Sequence, residues 1–168
     1  RDTAETARDE VAVLKEEVGQ ILWRHFQDNH LDPDSGRGSD FRRFQAAGGD
    51  RLAAFAGQHG EQSEYHQYLQ WQLDLQLAAA GRRSMELGLK VGITLTLPAG
   101  IDPHGAAVQH QPDLFAESLA VHGCAEGADG CACGPPVRRH RLREQAYRPF
   151  IAWLRGQMRH NGALCLDD

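Results

Sequence analysis

The sequence predicts an α/β fold, namely a segment of a (β/α)8 barrel that follows a largely helical part. Residues 90–97 form a near-continuous apolar run between Gly and Pro, and Ala163–Leu166 is a second short apolar run, as in buried strands. A strong helical pattern lies between the two runs, and strand, helix, strand is the unit of a parallel sheet. Two strands cannot close a barrel, which takes roughly 250 residues. We expect a helical subdomain over residues 1–88 and a partial barrel with two parallel strands over residues 89–168.

The helical part opens with a long amphipathic pattern. Apolar residues between positions 3 and 30 recur at steps of three and four, which is the spacing of one helical face. These residues are Val11, Leu14, Val18, Ile21, Leu22 and Phe26. The polar, glycine-rich residues 31–40 cannot continue this helix and predict a loop.

Three further helical pieces are predicted before residue 88. The first has Ser39 or Asp40 as its cap and ends at the Gly48-Gly49 pair, because glycine admits a left-handed conformation. A second piece covers residues 50–59. The third covers residues 62–80 and stops at Gly81.

The predicted barrel segment contains helices and one unusual loop between its strands. Residues 98–112 predict a loop, residues 113–118 a short helix, and residues 143–160 a strong amphipathic helix. Residues 119–136 are rich in glycine and cysteine and are too long for a simple connection, which usually indicates function or disorder.

Composition excludes several classes of function. The chain has 168 residues, 41% of them hydrophobic, and 18 Lys and Arg against 23 Asp and Glu, for a net charge of −5. Without a basic field, nucleic acid is not an expected partner. No run of about 18 apolar residues exists and the amino end is charged, so we expect neither a membrane span nor export, and a cytoplasmic location. The first residue is Arg rather than Met, which suggests a fragment.

Asp167 is the most informative candidate for chemistry. It directly follows the second strand, at the carboxyl end where parallel barrels place catalytic groups. It could act as a nucleophile or as an acid or base, whereas the plain alternative is a solvated terminal Asp pair with Asp168. Cys165, inside the strand, is expected to be a buried small hydrophobic residue.

A zinc site is a second hypothesis. Cys124, Cys131 and Cys133, with His122 and His140 nearby, could wrap zinc tetrahedrally. Their C-x6-C-x-C spacing departs from the paired C-x2-C pattern of structural zinc sites. We therefore favour the alternative hypothesis that these cysteines are free thiols in a surface loop.

Two other clusters also have plain structural interpretations. A basic cluster could grip phosphate, but a solvated helix start explains it more simply. Three aromatic residues could stack on sugar rings, but at helical spacing they are more typical of a core. The basic residues are Arg138, Arg139, His140, Arg141 and Arg143, and the aromatic ones are Tyr65, Tyr68 and Trp71.

Several segments, in order along the chain, resemble the 4-alpha-glucanotransferase (amylomaltase) family. They are EYHQYLQWQLDLQLAAA (64–80), LPAGIDPHGA (97–106), PDLFAES (112–118), YRPFIAWLRGQMRHNGAL (147–164) and the closing Asp167. The resemblance implies a (β/α)8 barrel with helical insertions that moves alpha-1,4-glucan segments between maltooligosaccharides through a covalent glycosyl-enzyme. In the family motif Ala-Leu-Arg-Ile-Asp-His, the nucleophile matches Asp167. No metal or organic cofactor is implied, because retaining transfer needs two carboxyl groups about 5 Å apart, and the second is implied beyond residue 168.

The sequence departs from this family at four places on the expected active face. The motif Arg is Cys165, the motif His is Asp168, and an Asp expected before Leu-Pro is Thr96. The Pro-Pro-Asp and Gly-Gln-x-Trp-Gly substrate loop, expected over residues 121–136, is not recognisable. A thiol cannot supply the guanidinium fork that orients the nucleophile, so we expect this chain to be inactive by itself.

Three functions therefore remain as hypotheses. The first is a fragment of a 4-alpha-glucanotransferase that binds alpha-1,4-glucans. The second is a non-catalytic glucan-binding or helical interaction module. The third is a small zinc protein built on the Cys124, Cys131 and Cys133 loop.

Overall fold

The computed structural model describes residues 2–31, 35–97, 101–119 and 134–166, with side chains from residue 10 onward. This part of the chain is mostly helical and contains one two-stranded parallel sheet. Its elements are α1 (Asp2–His30), α2 (Gly36–Gly57), α3 (Ser63–Glu86), β1 (Thr94–Leu97), α4 (Ala106–His110), α5 (Arg139–Glu144), α6 (Arg148–Gln157) and β2 (Ala163–Leu166), with short 3-10 helices at Gly60–Gln62 and Pro112–Leu114.

The chain divides into two compact units, Arg1–Asp74 and Leu75–Asp168. The division falls inside α3. The boundary after residue 88, which the change of pattern predicts, remains a prediction.

The first unit is organised around an aromatic core. Helices α1, α2 and α3 each contribute rings, and the core consists of Trp23, Phe26, Phe41, Tyr65, Tyr68 and Trp71. The Phe26 ring lies 5.0 Å from the Tyr68 ring and 5.5 Å from the Phe41 ring, between centroids, within the range of favourable aromatic pairs. The prediction that Tyr65, Tyr68 and Trp71 belong to a core is confirmed.

The long helix predicted over residues 3–30 is confirmed as α1, but of its apolar stripe only Phe26 is buried. Trp23 and Phe26 are buried, whereas Val11, Leu14 and the other aliphatic residues of the stripe are about half exposed or more. Large rings bury more area per residue than aliphatic side chains, so they decide which side of α1 faces the core. At Gly19 the close approach of the Tyr65 hydroxyl, 2.3 Å from where a Cβ would stand, brings α1 and α3 together.

Helix α2 begins earlier than predicted and is bent where predicted. Ser35, not Ser39 or Asp40, is its cap: the Ser35 hydroxyl accepts a hydrogen bond from the Gly38 amide at 3.3 Å. Gly49 has a φ of 51° and a ψ of −144°, which interrupts the helical geometry. This kink confirms the break expected at the Gly48-Gly49 pair.

Helix α3 does not stop at Gly81, as the sequence analysis expects, but continues to Glu86. Two residues after this end, Gly88 has a φ of 85° that reverses the chain, and its amide donates to the Met85 carbonyl at 2.9 Å. Gly81 has a different role. A Cβ at this position would stand 2.7 Å from the His160 carbonyl oxygen, so glycine permits the close contact between α3 and the segment before β2.

The single helix predicted over residues 143–160 is two helices. Ala146 and Tyr147 have φ values of 50° and 58°, which end α5 and separate it from α6. Pro149 explains the break, because proline has no amide hydrogen and is tolerated in the first turn of a helix but not in its interior. Helix α4 lies in the predicted 98–112 loop, and a 3-10 turn at Pro112–Leu114 replaces most of the short helix predicted over 113–118.

The two predicted strands pair in parallel, which confirms the βαβ arrangement. Thr94 lies opposite Ala163, and the register runs to Leu97 opposite Leu166. Strand β1 is shorter than the predicted 90–97 run. Only Leu97 is buried, while Cys165 is exposed, so the prediction that Cys165 is buried is wrong: at the carboxyl end of β2 both Cys165 and Leu166 are exposed.

We expect Phe41→Ala to destabilise the first unit by about 3 to 5 kcal/mol, because the Phe41 ring is fully buried among other rings and its loss leaves a cavity. Urea denaturation followed by tryptophan fluorescence measures the change. Val13→Ala, at a residue 58% exposed on α1, is the control and should change stability by about 0.5 kcal/mol or less. A loss under about 1 kcal/mol for Phe41→Ala would contradict the assigned core.

We expect the first unit to lose stability as the pH falls. Burial, and then the His59 ring stacked on it at 3.5 Å between centroids, lower the pKa of His66 from 6.5, while Glu16 opposes the shift. The neutral form is therefore favoured in the fold, and its stabilisation is complete above 6.5 and is lost as the pH falls through the lowered value. Denaturation curves at about pH 7 and about pH 5 should differ less in His66→Gln than in the parent chain. The exposed His140→Gln is the control, and equal pH dependence in parent and His66→Gln chains would refute the assignment.

Candidate active face at the carboxyl ends of the strands

The carboxyl ends of β1 and β2 lie at one edge of the sheet. Because the strands are parallel and Leu97 is opposite Leu166, both strands end at the same level. Parallel βα proteins place their catalytic groups at this edge. Asp167, the predicted nucleophile, directly follows Leu166 in the chain, and both Asp167 and Asp168 lie outside the described residues.

Thr96 and Cys165 lie opposite each other, one residue before the two strand ends. Paired residues of neighbouring strands are about 4.8 Å apart and point to the same face of the sheet. Both residues are exposed, and the Cys165 thiol is free. The two neutral side chains therefore occupy one patch directly below the candidate face, at the two strand positions where the resemblance implies an Asp and an Arg.

A close backbone contact holds the amino end of β2 against β1. The Gly162 amide donates to the Ile93 carbonyl at 2.9 Å. A Cβ on Gly162 would stand 1.5 Å from the Val91 carbonyl oxygen, so only glycine fits. This contact fixes the register that brings the carboxyl ends together.

A small apolar cluster supports the segment that follows β1. Val108, Leu114 and Phe115 are buried, and Ile101 and Leu142 pack against them. At the start of the segment, the His104 amide donates to Asp102 Oδ1 at 2.9 Å, a turn in which the carboxylate replaces a backbone acceptor. The described part of the LPAGIDPHGA motif thus forms a braced turn that leads into α4.

The long loop between α4 and α5 is clamped at its base. Phe115 and Val137 form an antiparallel bridge, the Ala116 amide donates to the Pro136 carbonyl at 2.9 Å, and the Arg138 amide donates to the Leu114 carbonyl at 2.8 Å. Residues 120–133, which include His122 and the three cysteines of the zinc hypothesis, lie outside the described residues. Within the described part of the chain, no group of three or more metal-ligating side chains is found, and the zinc hypothesis stays untested.

The basic cluster lies at the start of α5, as the simpler interpretation predicts. Arg138 is the cap residue of α5, and the other members lie on the helix and are exposed. Arg141 pairs with Glu144 at 3.0 Å on the surface. Such exposed ion pairs contribute little to stability. We therefore interpret the basic cluster as the solvent-exposed start of a helix.

A cleft that the sequence analysis did not predict lies at the opposite end of the strands. Its volume is about 630 Å³, and its walls include Ser84 and Met85 of α3, Val91 before β1, and Asn161 before β2. The Asn161 side-chain oxygen is buried without a hydrogen-bond partner. Because the cleft borders the amino ends of the strands, it is separate from the candidate active face, and the sequence gives no signal for it beyond glycines at 81, 92 and 162.

The fold and the candidate face define a class of protein. Parallel strands joined by helices, with their carboxyl ends level, are typical of α/β proteins in which loops after the strands form the functional site. No helix in the described ranges is long and apolar enough to cross a membrane.

Comparison with known proteins identifies the family. The model of the 4-alpha-glucanotransferase family matches residues 6–168, and the chain therefore belongs to this family. The 4-alpha-glucanotransferases of Mycobacterium tuberculosis (H37Rv) and Mycobacterium bovis are each 36% identical to it over 121 residues, which cover 69% of this chain and 16% of the relative. That of Haemophilus influenzae is 27% identical over 117 residues, 65% of this chain and 16% of the relative. The aligned segment is thus about a sixth of the length of these relatives.

We expect Gly162→Ala to loosen the pairing of β1 and β2 and to cost about 1 to 3 kcal/mol, because the added methyl group overlaps the Val91 carbonyl. Amide hydrogen exchange at Thr94–Leu97 should speed up. Gly156→Ala in α6, where a Cβ would have nothing within 4 Å, is the matched control and should leave exchange in β1 unchanged. Equal exchange in the two variants would show that the contact at Gly162 does not hold the sheet.

Proposed function

We propose that this chain is the nucleophile-bearing part of a 4-alpha-glucanotransferase that transfers alpha-1,4-glucan segments between maltooligosaccharides. The observation that supports this most directly is the family match up to residue 168, combined with the parallel register that ends β1 and β2 at one edge. The two parallel strands and the helices between them support a partial (β/α)8 barrel, and we propose the complete barrel for the whole protein.

The proposed reaction is a retaining double displacement with Asp167 as the nucleophile. The Asp167 carboxylate attacks the anomeric carbon of the donor glucan, the glycosidic bond breaks, and a second carboxyl group protonates the leaving oxygen. The covalent glycosyl-enzyme then reacts with the hydroxyl of an acceptor glucan, whose proton returns to that second group. The resemblance implies that the second carboxyl group lies beyond residue 168, so we propose that this chain alone does not turn over. No metal or organic cofactor takes part in this mechanism.

The residues around the proposed nucleophile should make it weak. Thr96 and Cys165, side by side on the exposed face of the sheet, carry no charge and provide no guanidinium to orient a carboxylate. Asp168 adds a second negative charge where the resemblance implies a histidine. A complete chain with these substitutions should therefore transfer glucan slowly.

A glucan-binding module without catalysis is the second candidate function, and the structure reduces the number of residues that could bind sugar in it. Tyr65, Tyr68 and Trp71 are buried in the first unit, so they are not available to stack on sugar rings. Isothermal titration with maltoheptaose tests this candidate, because binding without products would favour it. The cytoplasmic location expected from the sequence stays a prediction.

We expect that Cys165→Arg with Asp168→His raises transfer from maltotriose in a complete enzyme that contains this segment, because orientation and charge at Asp167 are repaired. Cys165→Lys with Asp168→His is the control, since it restores the charge without the planar fork. The rate of glucose release from maltotriose is the measurement. In this chain alone, both pairs of substitutions should stay inactive.

Two outcomes would contradict the proposal. If the unrepaired complete enzyme turns over at about 1 to 1,000 per second, Cys165 and Asp168 are tolerated and the weakened nucleophile is wrong. If Asp167→Asn leaves that rate unchanged, Asp167 is not the nucleophile.

A further inference from the structure

Helix α2 is held unequally on the two sides of its kink at Gly49. Before the kink, Phe41 is fully buried and Phe44 packs against the aromatic core. After the kink, residues 50–57 contribute no side chain to that core, and among them only Ala56 is buried. A Cβ on Gly49 would meet nothing within 4 Å, so the kink has room around it. The second half of α2, residues 50–57, is therefore the more weakly held half, with a hinge at Gly49.

Two stacked histidine rings join the far end of this second half to helix α3. His59, two residues after α2, lies on His66 of α3 with the ring centroids 3.5 Å apart and the ring planes within 14° of parallel. The His59 ring also contacts the Phe55 ring of α2, at 5.6 Å between centroids. The histidine stack, His59 with His66, thus connects a side chain of the second half of α2 to α3.

The histidine stack is sensitive to charge. Two protonated imidazole rings in contact repel each other, because like charges at contact distance repel even in water. Glu16 of α1 also faces His66 and favours its protonation, while the neighbouring Tyr65 stays neutral. Burial and then His59 outweigh Glu16, so the pKa of His66 lies below 6.5. The uncharged stack is therefore complete above 6.5 and is lost as the pH falls through the lowered value.

We propose that the histidine stack is a pH-sensitive contact that holds the second half of α2 on α3, and that its release lets residues 50–57 move about Gly49. The first half of α2 stays in place. Phe41 remains in the aromatic core, and Gln45 Nε2 donates to Gln67 Oε1 of α3 at 2.9 Å. The proposal goes beyond the lower stability expected at acidic pH, because it assigns the change to one half of one helix.

Amide hydrogen exchange of this chain at about pH 7 and about pH 5, expressed as protection relative to the unfolded chain, tests the proposal. The amides of residues 50–57 should lose about three- to ten-fold in protection at the lower pH, ten-fold being the equivalent of one pKa unit. The amides of Tyr68 and Trp71 in α3 should keep their protection. His66→Phe keeps a ring in the stack that cannot be charged, so protection of residues 50–57 should become independent of pH.

Two further variants complete the experiment. His59→Phe, at an exposed position, should act like His66→Phe without altering the half-buried side of α3. His25→Phe is the matched control, because it removes one ring of another histidine pair, His25 and His30 of α1, whose centroids are 6.0 Å apart. This control should keep the pH dependence of the parent chain at residues 50–57.

Three results would overturn the proposal. The first is protection of residues 50–57 that does not change between the two pH values in the parent chain. The second is a loss of protection in both Phe variants as large as that in the parent chain. The third is a loss that extends to Tyr68 and Trp71 together with a change in tryptophan fluorescence, because the movement would then involve the aromatic core instead of a hinge at Gly49.

Discussion

The candidate active face depends on the parallel pairing of β1 and β2. Four residue pairs set the level at which the two strands end, and the register follows from the close contact at Gly162 rather than from side-chain packing. A shift by one residue would turn every side chain to the opposite face, so Thr96 and Cys165 would no longer share a surface below the strand ends. The clamp between Phe115 and Val137 then holds the base of the long loop within the same unit.

The first unit follows a different principle, in which rings rather than backbone contacts fix the arrangement. Tyr65 shows how a polar group is accommodated at the edge of such a core. Burial, and then the neighbouring Glu16 carboxylate, raise the pKa of Tyr65 to about 12, and the hydroxyl donates to Glu16 at 3.2 Å. The phenol therefore stays protonated and satisfies its donor, while its ring fills space against α1.

The local sequence predicted whether most elements are helices or strands, whereas contacts between residues far apart in the chain decided where those elements begin and end. The strands could be predicted because apolar runs bounded by glycine are typical of strands, and the break at Gly49 because two adjacent glycines rarely continue a helix. The end of α3 was mistaken because Gly81 serves a contact with His160, which lies far along the chain, and nothing in the sequence around Gly81 reveals that contact. The break before α6 did have a local signal, Pro149, which the amphipathic pattern obscured.

The candidate site could be predicted only in part, because its chemistry depends on pairs of residues that lie far apart in the sequence. The order of motifs identified the family, and the family match confirms it. What the sequence alone could not show is that two of the departures, Thr96 and Cys165, are neighbours across the strands. Where an acid and an arginine face each other, replacing one of them leaves the other charge without a partner, at a cost of several kcal/mol when it is buried. Replacing both leaves a neutral pair with no such penalty. Under the proposed function, the two departures are therefore one physical change, in which an acid and an arginine that the resemblance implies are replaced together by a neutral pair on neighbouring strands.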